Sequence, residues 1–347
     1  MLSNFFVSLG GSMLGAVAQG VLWGIMALGV FITFKILNFA DMTVDGSFAT
    51  GGCVCALLIV HGCDPLFAVL VAAVLGTLAG LITGLLHTKL KIPGILSGIL
   101  MQLALYSINL RILGGKANQP LSPVPRNKVF TSADWINNWK AFFGHGAVNA
   151  DGSAVEPINI SIMDFFNKWF NLKQAFKDNA TSFASLLVGL VICGIIIFAL
   201  YWFFGTEIGS AIRATGNNEN MSRAQGINTD KTKIIALMLS NALVAVSGAL
   251  VMQQQRFGDV GMGIGTIVIG LASIIIGEVI FGHRFGFWWD LLAVVFGSVI
   301  YRVIIAVVLK LGMKTNDLKL LSAVVVAIAL SVPVIKKKFI SRRKKNA

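Results

Sequence analysis

Long apolar runs separated by brief polar punctuation fill most of the chain, at 13–34, 46–60, 65–87, 93–113, 183–204, 233–252, 264–281, 286–309 and 318–335. About 20 apolar residues in a helix cross roughly 30 Å of hydrocarbon. Where no water can satisfy the backbone, only helices and closed barrels span, and these runs are too long for barrel strands. The pattern predicts an all-α polytopic membrane protein with about nine transmembrane helices, or eight to ten if 1–12 or 160–180 holds a poorly marked one. It also predicts four segments: a transmembrane half at 1–113, an insertion at 114–181, a second transmembrane half at 182–335 and a tail at 336–347. No Lys or Arg precedes Lys35, and the first apolar run exceeds a signal-peptide core, so 13–34 is read as a retained helix.

Three interruptions break the apolar pattern. The first is a polar island at 205–231, GTEIGSAIRATGNNENMSRAQGINTDK, with Arg213, Glu219, Arg223, Asp230 and Lys231. Ile208, Ala211 and Ile212, then Met221, Ala224 and Ile227, recur at helical spacing around Gly216, Asn217 and Asn218. Two short helices joined by a turn, lying across the mouth of a bundle, fit this spacing; so does a plain solvated loop. The other two interruptions are nearly loopless joints between spans. Asn38-Phe39-Ala40-Asp41-Met42-Thr43-Val44-Asp45 joins the first two, and Phe257-Gly258-Asp259-Val260-Gly261-Met262 precedes the seventh. Both read Phe-small-Asp and approach from opposite sides, as two inverted pseudo-repeats with discontinuous helices would require; such breaks line substrate paths. An equally available role for Asp41, Asp45 and Asp259 is capping helix N-termini. Asn241 and Gln253, within and at the end of the sixth run, are candidates for the same path, although polar groups inside a span also bond neighbouring helices.

Composition sharpens this reading. Hydrophobic residues make up 56% of the 347 positions and charged residues 12%, which excludes an ordinary soluble domain. The net charge of +13 is not spread as a nucleic-acid-binding face, because seven basic residues lie in the tail, KKKFISRRKK at 336–345. A block there marks a cytoplasmic end and suits anionic membrane lipid. With nine crossings the N-terminus is then outside, and Lys35, Lys89, Lys91, Arg213, Arg223, Lys231, Lys233 and Arg284 fall inside.

Cys53, Cys55, Cys63 and Cys193 match no zinc spacing, so they are read as small buried apolar residues and no metal or other cofactor is expected. The spacings Gly76-x3-Gly80-x3-Gly84 and Gly20-x3-Gly24 suit close helix packing. Arg111, Glu278, Asp290 and Arg302 are placed near helix ends. His61, His87, His145 and His283 are scattered, with no nucleophile-base arrangement, and no Gly-x4-Gly-Lys-[Ser/Thr] loop for ATP occurs, so the chain is not read as an enzyme.

The run GSAIRATGNNENMSRAQGI resembles the cytoplasmic coupling segment of ABC importer permeases of the branched-chain amino acid and ribose-type superfamily. LNFADMTVDGSFATGG at 37–52, LYSINLRILGGKAN at 105–118 and the stretch at 239–278 resemble the permeases assigned to tryptophan/tyrosine-type uptake systems. The resemblance implies a permease subunit of a bacterial cytoplasmic membrane. Its implied partners are a second permease copy, a separate ATP-binding-cassette ATPase and an external substrate-binding protein. It implies that Ile208, Ile212, Arg213, Gly216, Met221 and Arg223 engage the ATPase, with Ile212 and Met221 as apolar anchor. It implies a path along Phe39, Met42, Phe257 and Met262 for an amino acid, aromatic in that subgroup. The insertion at 114–181 is longer than the family pattern leads one to expect, and suits either contact with the delivery protein or an interfacial hairpin. An ion-coupled secondary transporter using Asp41, Asp45 or Asp259 is the other reading of the breaks.

Overall fold

The computed structural model describes residues 2–121, 161–163, 180–282 and 286–311, with 320, 323–325, 327 and 331 of the last apolar run. Most of 114–181, most of the predicted helix at 318–335, Arg284 and the basic tail lie outside the described residues. Helix α1 (Leu2–Phe31) continues into a π-helical turn, Ile32–Ile36; α2 (Thr43–Val60), α3 (Pro65–Thr88) and α4 (Gly94–Ile112) follow. A short strand β1 (Asn118–Pro120) precedes α5 (Ala180–Phe204). The polar island forms α6 (Glu207–Asn217) and α7 (Glu219–Ala224). Then come α8 (Thr229–Gln255), β2 (Phe257–Asp259), α9 (Thr266–Phe281) and α10 (Phe287–Lys310).

Among the described residues seven helices are long and apolar enough to cross a membrane, and the 16-residue α9 is a shorter apolar helix. At 1.5 Å per residue α9 reaches about 24 Å, less than a full crossing. The chain is therefore a polytopic, all-helical membrane protein. Its helices follow the predicted order, but α2 and α8 begin earlier than their apolar runs, because their first turns carry Asp45 and Asp230, polar residues that a hydropathy pattern discards.

Helices α1, α2 and α8 form the centre. Ser240 Oγ donates to the carbonyl of Gly29 at 2.8 Å and Ser247 Oγ to that of Leu22 at 2.7 Å, so α1 and α8 are antiparallel. Helix α2 runs parallel to α8, with Ser47 bonded to Asn241 and Cys55 to Gln253; where they cross, Gly51 lies on the Ala245 carbonyl and Gly248 on that of Phe48, and a Cβ would collide with backbone. Hydrocarbon offers no solvophobic drive between helices, so such close backbone approach and inter-helix hydrogen bonds supply the cohesion. Both predicted small-residue spacings serve this purpose: Gly76 and Gly80 seat α3 on α8, and Gly20 and Gly24 seat α1 on α10. Helices α4 and α5 lie outermost, exposing Leu103 and Tyr106, and Ile195, Phe198 and Trp202. All four cysteines are buried and unpaired.

At one end of the bundle β1 pairs antiparallel with β2, Asn118 opposite Asp259 and Pro120 opposite Phe257. The start of the stretch read as an insertion is thus tied to the second break, a non-local pairing with no local sequence signal. We refer to this as the ribbon end and to the opposite one as the island end.

Valine at Gly248 is expected to abolish monodisperse protein in detergent or to lower its thermal midpoint by at least about 5 °C, an overpacking penalty of about 1–3 kcal/mol. Valine at Gly194, where a Cβ meets nothing, should leave the midpoint unchanged.

Candidate functional site

The two breaks share a backbone design beyond the Phe-small-Asp pattern. Each starts on a non-glycine residue in the left-handed region, Asn38 at φ 54° and Arg256 at φ 60°. This geometry is uncommon for residues with a Cβ and stops a helix abruptly. Phenylalanine follows, then a small residue, then an aspartate whose Oδ1 accepts the N–H two residues ahead: Thr43 for Asp41, at 2.9 Å, and Gly261 for Asp259. The first break leaves the island end and the second leaves the ribbon end, so they run toward each other.

They meet beside the middle of α8, where the N-termini of α2 and α9 face each other. Asp45, in the first turn of α2, accepts from the N–H of Gly265 at 2.9 Å, the hydroxyl of Thr266 at 2.8 Å and the N–H of Ile267 at 3.0 Å. One carboxylate thereby takes the N–H groups of Gly265 and Ile267, while that of Thr266 reaches the Gly263 carbonyl at 3.1 Å, so the start of α9 is satisfied without water. Asp41, fully buried, accepts from Asn241 Nδ2 at 2.8 Å, and Asn241 Oδ1 accepts from Ser47 at 2.6 Å. Thr43 and Thr83 share a hydrogen bond of 2.8 Å that fixes the same turn to α3. At the far end of α9, Lys35 of the π-helical turn pairs with Glu278 at 2.7 Å. Asp45 thus supplies an anion at the N-terminus of α9 and Lys35, in the turn ahead of the first break, a cation near its C-terminus, both favourable to its dipole.

The predicted path residues do not all belong to this meeting point. Asp41, Met42, Asp45, Asn241 and Met262 gather there, Met262 with its sulfur against Gly52. Asn38 is exposed at the island end, and Phe39 is buried with its ring 5.0 Å from that of His87. Phe257 and Asp259 stay at the ribbon. Gln253 is a correction: it sits twelve residues beyond Asn241, about 18 Å along α8, with its amide sealed among helices. It accepts from Ile162 N–H at 2.9 Å and donates to the Pro65 carbonyl and Cys55 Sγ, both at 3.2 Å, so it braces the fold. Asn241 is likewise fully hydrogen-bonded inside the bundle.

Beside Asp45 lies a cavity of about 110 Å³ lined by Gln102, Tyr106 and Asn109 of α4 with Val260 and Ile264 of the second break. Asn109 is fully buried, yet neither atom of its amide has a hydrogen-bond partner. A buried polar group without a partner is costly and asks for a reason. Sequence reasoning missed this trio, although Gln102, Tyr106 and Asn109 recur at i, i+4 and i+7 in a largely apolar helix.

The polar island forms two short helices, each with a side-chain cap: Thr206 accepts from Gly209 N–H, and Asn218 from Met221 N–H at 3.0 Å. Helix α6 is docked on the bundle. Gly216 lies directly against the Ile36 carbonyl at the end of the π-helical turn, an approach closed to any residue with a Cβ. Ile212 is a second correction. It is 0% exposed, packed into the chain's own core, and is not available to a partner, whereas Ile208 and Met221 are each 48% exposed. Arg213 is also turned inward, its Cζ 4.2 Å from the Phe287 ring and 5.4 Å from that of Phe204. Arg223 joins a network with Glu219 at 2.8 Å and Asp230 at 3.4 Å, and Glu219 also holds Lys233 at 2.7 Å. The Lys233 hydrogen bond, opposed by burial, holds the Glu219 carboxyl below its usual value of 4.5.

Two helix N-termini that meet beside the middle of α8, with a polar island docked at one end of an all-helical membrane bundle, are features of transport proteins. Residues 12–330 match the branched-chain amino acid transport system / permease component family. The chain belongs to this family, the permeases of ABC-type transporters. It is 37% identical to the tyrosine transport system permease protein of Clostridioides difficile over 334 residues, 96% of this chain and 94% of that protein. It is 24% identical to the ribose import permease protein RbsC of Escherichia coli K12 over 73% of this chain and 64% of that one. It is 26% identical to the probable branched-chain amino acid transport permease protein LivH of Methanocaldococcus jannaschii over 75% and 72%. No solved structure matches.

Asparagine at Asp45 turns an amide N–H toward the N–H of Gly265. The expected loss is about 2–3 kcal/mol, read as a fall of about 5 °C in thermal midpoint; asparagine at Asp259, which keeps its local acceptor, should cost under about 1 kcal/mol. For Glu219 the folded pKa is depressed, so its contribution is complete above the ordinary value of 4.5 and is lost as pH falls through the lower folded value. Hydrogen-exchange protection across 207–233, taken relative to the intrinsic exchange rate at each pH, should therefore be flat from neutral pH down to about 5, and exchange relative to that rate should rise below it. Glu219→Gln should remove this rise.

Proposed function

We propose that the chain is the membrane-spanning subunit of an ABC importer for a small amino acid, with an aromatic one as the leading candidate. It works with a second copy of itself, a separate ATPase and an external binding protein in the bacterial cytoplasmic membrane, with the island end and the C-terminus cytoplasmic. The amino-acid assignment draws its support from the tyrosine permease relative that aligns over almost the whole chain.

The observation that carries the mechanism is the unbroken physical link from the island to the meeting point. Helix α6 presses on the π-helical turn through Gly216, and that turn leads directly into the first break. Asp45 and Lys35 then hold the two ends of α9. The ATPase engages the exposed Ile208 and Met221, with Arg223 beside them, and its closure moves α6 and α7. The movement passes to the first break and carries α9 with it, shifting the walls of the cavity beside Asn109. π-helical turns are found at such functional points, and half-helices meeting at mid-depth are a recurring way to build a transport gate. Asn109 offers the solute an unpaired amide, Val260 and Ile264 offer apolar wall, and the second copy closes the cavity over the exposed face of α4.

Ile208→Asp with Met221→Asp leaves the bundle core untouched. The double variant should lose co-purification with the ATPase encoded in the same cell and should reduce uptake to background. Asn109→Leu should keep the ATPase bound and raise the KM for uptake about tenfold, the value of one lost polar contact. Uptake by the chain alone, following an ion gradient and indifferent to the double substitution, would overturn the proposal in favour of an ion-coupled transporter.

A further inference from the structure

A second cavity has no part in the path just described. It encloses about 500 Å³ between α1, α5 and α10 under the end of α8, and shares no lining residue with the cavity at Asn109. Its walls include Gln254 and Gln255, the last residues of α8, Leu309 in the last turn of α10 and Ser182 near the start of α5, so it lies at the ribbon end. Lys310 and Leu311, next beyond its rim, are exposed.

Arg302 enters the cavity from well inside the 24-residue α10, which corrects the sequence-based placement near a helix end. Its Cζ lies 3.8 Å from the ring centroid of Trp23, a residue level with 295–299 of α10, so the side chain runs back toward mid-bundle. Among the described residues no carboxylate pairs with it, and its Nε is buried without an acceptor. Ser247 of α8 bonds the Leu22 carbonyl, and Gln254 lies two turns further on, about 10 Å nearer the ribbon end than that level. Its Oε1 is also buried, without a donor. The guanidinium is therefore the deeper polar group of the cavity and the Gln254 amide the shallower.

A charge at this depth is costly and is retained where it has a task. Stacking on Trp23 offsets part of the cost, and the fork of guanidinium N–H groups fits a carboxylate. An amide oxygen only accepts, so Gln254 Oε1 asks for a donor one step above that carboxylate. Ile305 and Leu309 share the face of α10 that carries Arg302 and form an apolar wall on its ribbon side.

We infer that this cavity binds a free α-amino acid with an apolar side chain. Its carboxylate pairs with Arg302, its ammonium donates to Gln254 Oε1, and its side chain lies along Ile305 and Leu309. A zwitterion satisfies both buried groups at once; a lone carboxylate or a lone amine satisfies one and leaves the other costly. This binding needs neither the ATPase nor the delivery protein, so it stands or falls apart from the import reading.

The test uses the full chain purified in detergent, with no partner present, and equilibrium dialysis against radiolabelled L-phenylalanine. N109L, which weakens the path cavity, should still bind it saturably. N109L with R302M should bind about tenfold more weakly, and N109L with R302K should recover part of the loss. Phenethylamine, which lacks the carboxylate, and 3-phenylpropanoate, which lacks the ammonium, should each compete about tenfold less well than the amino acid. N109L with Q254L should bind the amino acid and 3-phenylpropanoate alike, a change that a purely structural glutamine would not produce. If R302M fails to fold, A306W, which fills the cavity from α10 and keeps the arginine, should abolish the binding that N109L retains. Equal binding with and without the arginine overturns the inference. So does loss of all binding in N109L alone, which would leave only the path cavity. Displacement by millimolar inorganic phosphate would make this a general anion site and would also overturn it.

Discussion

A helix that begins inside a membrane must have its first N–H groups satisfied by something other than water, and in this protein that requirement falls on Asp45. The carboxylate takes three hydrogen bonds at the start of α9 from a position in the first turn of α2. Without it the N–H groups of Gly265 and Ile267 would be left without an acceptor, whereas the start of α2 has its own in Asp41. The close glycine packing of α2 on α8, the Asp41–Asn241–Ser47 chain and the Lys35–Glu278 pair all hold this one junction in register. The carboxylates at the breaks are committed to structure, and the unpaired polarity beside them belongs to α4.

Much of this was legible in the sequence, and what was not has an identifiable cause. Apolar runs mark helices reliably because hydrocarbon thickness fixes their length, so the order of the spans could be read directly, whereas the spacing in the island fitted a plain loop as well as the two short helices it forms. The Phe-small-Asp repeat also stood out, since an aspartate at membrane depth is rare. The left-handed residues ahead of it, Asn38 and Arg256, could not be read, because neither is the glycine that usually signals that conformation. Gln253 and Ile212 were misassigned for a common reason: residue type says that a side chain is polar or apolar, but not whether the neighbouring helix has already claimed it. Arg302 was misplaced by a related error, because distance from the end of an apolar run says nothing of the direction in which a long side chain turns. Asn109 was visible by spacing yet unremarkable until its missing partners were seen.

The docking of α6 gives the island a mechanical character different from that of a surface loop. Its Ile212 is buried in the bundle, its arginine is stacked on two phenylalanines, and its glycine rests on the π-helical turn. A π-helical turn is less regular than the α-helix on either side of it and is a natural place for a helix to yield. The close backbone contact made by the island therefore falls on a deformable point of the chain, two residues before the first break begins.

The hydrogen bonds at the junction also impose an order on biosynthesis. Asn241 lies 200 residues after Asp41, and Gly265 lies 220 residues after Asp45. Both acids leave the ribosome and enter the bilayer long before the groups that neutralise their polarity exist. At about 5–20 residues per second that interval lasts on the order of tens of seconds. Throughout it the N-terminal half has two carboxylates at membrane depth without their partners. That half is consequently an intermediate that must be sheltered until α8 and α9 arrive, and a chain truncated ahead of them is a substrate for quality control.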